Sequence, residues 1–144
     1  MNLSHLAYDV ESEGKDFWLE WKSISSIENP LTNGKLEVLY RDSHFQIERV
    51  THGPYEVIPI HRHPALDSYE FPLWGAGELW LGSHRIALDD ARTPWGKIAI
   101  PRTRWHGGKG TERGGAFLSV QYWPDGVTGS VISSWETKCN KAIF

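Results

Sequence analysis

The stretch HRHPALDSYE, residues 61–70, decides how this sequence is interpreted, because it places two histidines and two acids close together. It follows the candidate strand YEVIPIH, residues 55–61. If that strand continues, His61 and His63 point to the same face, since side chains alternate along a strand with a period of two. Two adjacent imidazoles make half of a metal site. The alternative is a polar turn whose histidines are solvated or bonded to backbone carbonyls.

The remaining sequence predicts an all-β protein. Short segments rich in β-branched and aromatic residues are separated by turn sequences such as RDS, GAG and GGKGTERGG. Such closely spaced strands are typical of a sandwich or a barrel. Pro59 and Pro72 fall inside two of them, and we expect each at a sheet edge or a bulge. The candidate strands are residues 35–40, 44–50, 55–61, 69–74, 78–82, 97–101, 116–123 and 130–135.

The chain of 144 residues is the size of one domain. We predict a single domain over 1–144, with a barrel core over 35–135 and an N-terminal extension, 1–34, packed on the barrel. Only ESEGKDFWLEWKSI in this extension predicts a helix. Its residues Phe17, Trp18 and Trp21 recur at about one-turn spacing, which indicates an aromatic plug at a barrel end.

Composition excludes several classes of function. The net charge is −3 and no run of lysine and arginine occurs, so we expect no nucleic-acid partner. A single cysteine, Cys139, rules out an intramolecular disulfide, and no apolar run reaches membrane-spanning length. We therefore expect a cytoplasmic protein with no membrane association. No nucleotide-binding, dinucleotide-binding or hydrolase motif is present.

A third histidine completes the pattern. IPRTRWHGG, residues 100–108, places His106 on a tight turn after a candidate strand. The sequence HRH, followed by acids and by EFPLWGAGELWLG, resembles the first motif of the cupin superfamily. PRTRWH resembles the second motif, PxGxxH, with Thr103 in the glycine position. The resemblance extends over roughly residues 53–123.

This resemblance implies a single cupin-type jelly-roll β-barrel with a short N-terminal helical segment. It also implies one divalent metal ion, Fe, Mn, Ni or Zn, held by His61, His63, an acid and His106. The other histidines have no partner at ligand spacing, and we expect them to be structural or exposed: His5, His44, His52 and His84.

Three alternatives remain for the acidic ligand. Counting back from Gly77 places the family's glutamate at Glu70, whereas counting back from Gly75 places it at Ser68. Residues 68 and 70 share parity, so both are expected to face the barrel interior, and Glu70 ranks first. Asp67 ranks second because it lies at the turn, where aspartate also commonly bonds nearby amides. A site of three histidines without a carboxylate ranks third.

Three further residues are candidates for substrate contact. Gln121 and Trp123 share one face of the candidate strand 116–123, and Trp105 precedes His106. We expect them to line a pocket beside the metal, although residues of this kind also alternate between core and rim.

The resemblance implies an enzyme that acts on a small organic molecule, with a mononuclear non-haem iron dioxygenase as the first hypothesis. With zinc or manganese, an isomerase or lyase becomes the better hypothesis. The alternative is a non-catalytic module that binds a small molecule or serves as a structural unit of a larger assembly. Since cupin barrels frequently associate, we also expect a homodimer.

Overall fold

The computed structural model describes residues 2–29, 34–89, 95–127 and 136–137. Two helices, α1 (Leu3–Glu13) and α2 (Lys15–Glu20), precede the strands and are separated at Gly14. The strands in the described ranges are β1 (Ser25–Glu28), β2 (Lys35–Arg41), β3 (Phe45–His52), β4 (Val57–Arg62), β5 (Asp67–Leu81), β6 (His84–Asp89), β7 (Ile98–Ile100), β8 (His106–Tyr122) and β9 (Glu136–Thr137). The predicted all-β fold with a short N-terminal helical segment is confirmed.

All strand pairs among the described residues are antiparallel, and β8 is the centre of the arrangement. One part of β8 pairs with β4, another pairs with β3, and β5 pairs with β8 along nearly its whole length. β5 also pairs with β6 and β7, and β2 connects β1 to β3. β8 therefore fixes the relative positions of the three strands that carry the candidate ligands and acids.

The two faces of β3, β5 and β8 differ in character. Phe45 and Ile47 on β3 point to the face that the helices cover, where they pack with Leu6, Val10 and Trp18. Residues of β5 and β8 complete this apolar cluster: Phe71, Leu73, Ala116, Leu118 and Val120. The helices thus cover one face of the sheet instead of plugging an end of the barrel. Residues of the opposite parity point to the interior.

Two predicted turns lie inside strands. GAG falls within β5 and GGKGTERGG within β8. The two strands approach so closely that a Cβ atom on Gly75 would lie 2.2 Å from the carbonyl oxygen of Gly114, and Gly75 has a φ of 103°. Glycine is required there by the backbone of a partner strand and not by a turn.

The prolines and the remaining strands agree only in part with the sequence-based prediction. The register shifts between Ile58 and His61 and between Pro72 and Trp74 are the irregularities expected around Pro59 and Pro72. β1 and β6 were not predicted. The candidate strand 130–135 and Cys139 lie outside the described residues. No helix among the described residues is long and apolar enough to cross a membrane.

Arg49 on β3 ties the helices to the sheet. Its Nη1 atom donates to the carbonyl oxygens of Trp18 and Trp21, each at 2.8 Å, and its Nη2 atom lies 2.8 Å from Glu37 Oε2. The hydrogen bond from Arg49 holds the pKa of Glu37 below its usual value. A single half-buried guanidinium therefore joins the end of α2 to β2 and β3.

Replacing Arg49 by alanine should lower the free energy of unfolding by about 2 kcal/mol, because it removes charge-assisted bonds and leaves the Glu37 carboxylate without its partner. Urea denaturation measures this. The control is Arg85→Ala, which removes an ion pair with Glu78 whose side chains are 69% and 40% accessible. This variant should leave the free energy of unfolding nearly unchanged, because an exposed ion pair contributes little. Equal losses in the two variants would contradict the assigned role of Arg49.

Candidate metal centre

The structure brings the three predicted histidines together. His61 near the end of β4 is the cross-strand partner of His106 at the start of β8, and His63 follows one residue after β4. The imidazole centroids are 4.3 Å apart for His61 and His106, 4.9 Å for His61 and His63, and 5.0 Å for His63 and His106. One nitrogen of each ring lies within 4.8 Å of the other two.

Backbone carbonyls fix the orientation of two of these rings. The Nδ1 atom of His61 lies 2.6 Å from the carbonyl oxygen of Pro59, and that of His106 lies 3.0 Å from the carbonyl oxygen of Arg104. Because a carbonyl can only accept, each Nδ1 atom carries the hydrogen and each Nε2 atom keeps its lone pair. Metal-binding histidines are oriented in this way.

Burial also keeps two of these imidazoles neutral. Each of the three residues is less than one tenth exposed. Burial lowers the pKa of His61 to about 4 and, with help from the neighbouring His61, that of His106 to about 3. A metal needs the neutral ring, so the donor set fits a divalent ion such as zinc, iron, manganese or nickel.

Glu70 on β5 faces the same interior. Its Oε1 atom accepts a hydrogen bond from Ser68 Oγ at 3.3 Å, which agrees with the expectation that residues 68 and 70 share a face. Its Oε2 atom is buried without a hydrogen-bond partner among the described residues. The group of ligand atoms within 4.8 Å contains the histidines and not Glu70. Glu70 as a direct fourth ligand therefore stays a prediction.

Asp67, the second candidate acid, is engaged by Arg102. Its Oδ1 atom accepts from the backbone N–H of Arg102 at 2.9 Å and lies 3.3 Å from Arg102 Nε. This contact joins the first residue of β5 to the segment after β7. Such contacts are typical of a turn acid, the other interpretation of this residue, and Asp67 as a metal ligand stays a prediction.

The three histidines and Glu70 line a cavity of about 120 Å³. Glu48, Ser119 and His52 add polar side chains to its wall. Most other lining side chains are apolar, and they include Val50, Ile58, Pro72, Leu79, Ile98, Ile100 and Phe117. Sequence reasoning missed Glu48 and His52 as lining residues, yet both share parity with Val50 on β3, and a longer alternation argument over 45–52 would have found them.

The three predicted substrate contacts lie elsewhere. Gln121 is buried and donates to Glu48 Oε1 at 2.6 Å, and the indole N–H of Trp123 donates to Gln121 Oε1 at 2.9 Å. The Trp105 ring lies against the Arg62 guanidinium, 4.7 Å from ring centre to Cζ. In the described part of the chain, none of these three side chains lines the cavity. Gln121 and Trp123 instead form a hydrogen-bonded chain that ends at the carboxyl group of Glu48.

No protein-family model matches the sequence, and the search of curated proteins found no relative. Solved structures do resemble it. KdgF from Halomonas sp. is 16% identical, with 72% of this chain and 84% of that chain covered and a TM-score of 0.56. A cupin-2 domain protein, Rru_A2000 from Rhodospirillum rubrum, is 16% identical, with 76% and 74% covered and a TM-score of 0.55.

A third similar structure is a sugar phosphate isomerase of the cupin superfamily from Silicibacter pomeroyi. It is 19% identical, with 65% of this chain and 61% of that chain covered and a TM-score of 0.54. At these identities the likeness concerns the fold alone. Together with the antiparallel barrel and its three converging histidines, it confirms the predicted architecture: the chain has the fold of the cupin superfamily.

Proposed function

We propose that this chain is a mononuclear metal enzyme that acts on a small organic molecule bound in the cavity. The observation that carries the proposal is the convergence of three buried imidazoles on one cavity wall, two of which burial holds neutral. Three protein ligands leave coordination positions open, which distinguishes catalytic from structural metal sites. His61, His63 and His106 are the proposed ligands.

When bound, such an ion supplies Lewis-acid polarisation or, as iron, activation of dioxygen. The chain's own residues hold the His61 and His106 imidazoles neutral, line most of the cavity with apolar side chains, and present Glu48 and Glu70 beside the histidines. The mostly apolar lining suits a small apolar molecule better than a polar sugar. It therefore supports an iron dioxygenase over a zinc or manganese isomerase or lyase that acts on a sugar. The homodimer and the cytoplasmic location stay predictions.

Elemental analysis of the protein purified without an affinity tag should find one divalent ion per chain, and His61→Ala should lose it, because one of three ligands is gone. The control is His84→Ala, which changes an exposed histidine on β6 and should retain the ion. If the unchanged protein holds no metal even after incubation with divalent ions, the proposal fails.

Titration with zinc compares the metal affinities of variants at the two candidate acids, Glu70 and Asp67. Glu70→Gln should weaken binding by about tenfold, because it removes a carboxylate that shares the cavity with the ligands, whereas Asp67→Asn should leave binding unchanged. A loss in Glu70→Gln as large as that in His61→Ala would identify Glu70 as a direct ligand. A larger loss in Asp67→Asn would place the turn acid at the metal instead.

The metal-free protein should have a bell-shaped dependence of stability on pH. Histidines of the unfolded chain take up protons below pH 6.5, whereas His61 and His106 resist until about 4 and about 3, so stability falls on acidification below 6.5. Burial raises the pKa of Glu48 to about 7 and that of Glu70 to about 8. The free energy of unfolding therefore falls as the pH rises from 4.5 through 8, because the folded protein holds these two protons and the unfolded chain releases them.

The two effects oppose each other between pH 4.5 and 6.5, so these four groups together place the stability maximum in that interval. Urea denaturation across the pH range measures the profile, and Glu70→Gln should flatten its alkaline side. An alkaline side that is as steep in Glu70→Gln as in the unchanged protein would contradict the assignment.

A further inference from the structure

Two buried carboxyl groups face the cavity on either side of one serine. Glu48 on β3 and Glu70 on β5 are both the cross-strand partners of Ser119 on β8. The three residues are buried, and all three line the cavity that contains the histidines. They form a row across three adjacent strands, defined here as the acid row.

The hydrogen bonds behind this row have a fixed direction. The indole N–H of Trp123 can only donate, so Gln121 accepts it with Oε1 and turns its amide NH₂ towards the acid row. Gln121 Nε2 then donates to Glu48 Oε1 at 2.6 Å and to Ser119 Oγ at 3.0 Å. Gln46 Nε2 donates to Glu48 Oε2 at 2.9 Å.

The carboxyl group of Glu70, at the other end of the acid row, is hydrogen-bonded among the described residues at one oxygen atom and not at the other. Ser119 Oγ accepts from Gln121, and Ser119 is the cross-strand partner of Glu70. Ser68 donates to Glu70 Oε1, and Glu70 Oε2 remains buried with no hydrogen-bond partner in the described ranges. Glu70 is 7% exposed and lines the cavity. A buried polar atom of this kind is normally satisfied, so a bound molecule is the natural source of its partner.

The charges around the cavity restrict what that molecule is. Among the described lining residues the only lysine or arginine is Lys109, which is exposed, whereas the buried charged groups are the two acids. An anion would enter without a buried counter-charge from the protein, which is costly. The volume of about 120 Å³ is comparable with an engineered apolar cavity of about 150 Å³ that accepts benzene.

We propose that the acid row is the head-group site for the substrate of the metal enzyme proposed above. It takes a small molecule with an apolar body the size of one ring, whose hydroxyl or amino group donates a hydrogen bond to Glu70 Oε2. A hydroxyl can donate and accept, so it pairs with a carboxyl group in either protonation state. The site discriminates against carboxylates and phosphates. The proposal rests on the proposed function in taking the cavity to be the substrate site.

Three probes test the head group while the body stays the same: benzyl alcohol, benzylamine and benzoate. Because a carboxylate can bind a metal directly, calorimetry and ligand-observed NMR are performed on the full chain after chelator treatment. Benzyl alcohol and benzylamine should bind about tenfold or more tightly than benzoate. Binding of benzoate that equals or exceeds that of the two donors would overturn the proposal.

Variants locate the contact. Glu70→Gln, which keeps the side chain's shape, should weaken benzylamine binding by about tenfold, and Ser119→Ala should weaken it less. The matched control is Glu112→Gln, the same substitution at an exposed position on β8, which should bind benzylamine unchanged. Thermal unfolding of each variant shows that it is folded. Unchanged affinity in a folded Glu70→Gln variant would overturn the proposal.

The metal analysis keeps the two proposals separate. If the protein binds no metal but still prefers the donor probes through Glu70, the metal enzyme fails and the head-group site stands. If the protein binds metal through the three histidines and shows no preference for donors, the head-group site fails and the metal enzyme stands. A direct role of Glu70 as metal ligand, seen in the zinc titration, would also overturn the head-group assignment.

Discussion

The pairing of β8 with β3, β4 and β5 is the constraint on which the site depends. It sets His106 opposite His61 at one end of β8 and Ser119 between Glu48 and Glu70 near the other. The histidine cluster and the acid row therefore each combine residues from more than one part of the sheet. The pairing in turn depends on glycine, since a Cβ atom on Gly77 would lie 2.1 Å from the carbonyl oxygen of Lys109. The same glycines that allow the strands to approach also leave space in the cavity.

This dependence explains what the sequence could predict. Strand parity predicted that His61 and His63 lie side by side, because alternation along a strand is a local property, and the resemblance to the cupin motifs implied that His106 joins them. Parity also placed Ser68 and Glu70 on one face. The length of β5 and β8 was missed, because glycine in a sequence usually indicates a turn, and only the partner strand shows that close approach requires it. β1 was missed since all four of its residues are exposed.

Gln121 and Trp123 show a second limit, which concerns the prediction of cavity-lining residues from the sequence. Parity assigned them to the interior face, and they do lie on it, buried. Parity does not say how deep along the strand the cavity reaches, however. Phe117 and Ser119 line the cavity, and the two later residues lie beyond it in the hydrogen-bonded support of Glu48. A pattern of period two predicts the face of a side chain, whereas the floor of a cavity depends on the volumes of side chains from several strands.

The two faces of β3 and β8 have different roles, since one packs against the helices and the other lines the cavity. The face under the helices is apolar and continuous, while the interior contains two buried acids, and the charge of Glu48 adds to desolvation in raising the pKa of Glu70. The neutral imidazoles of His61 and His106 bring no charge to this interior. A divalent ion there would need compensation, and Glu48 and Glu70 are the buried lining groups among the described residues that can supply it by ionising. The acids that destabilise the metal-free cavity are therefore the groups that suit it to a cation.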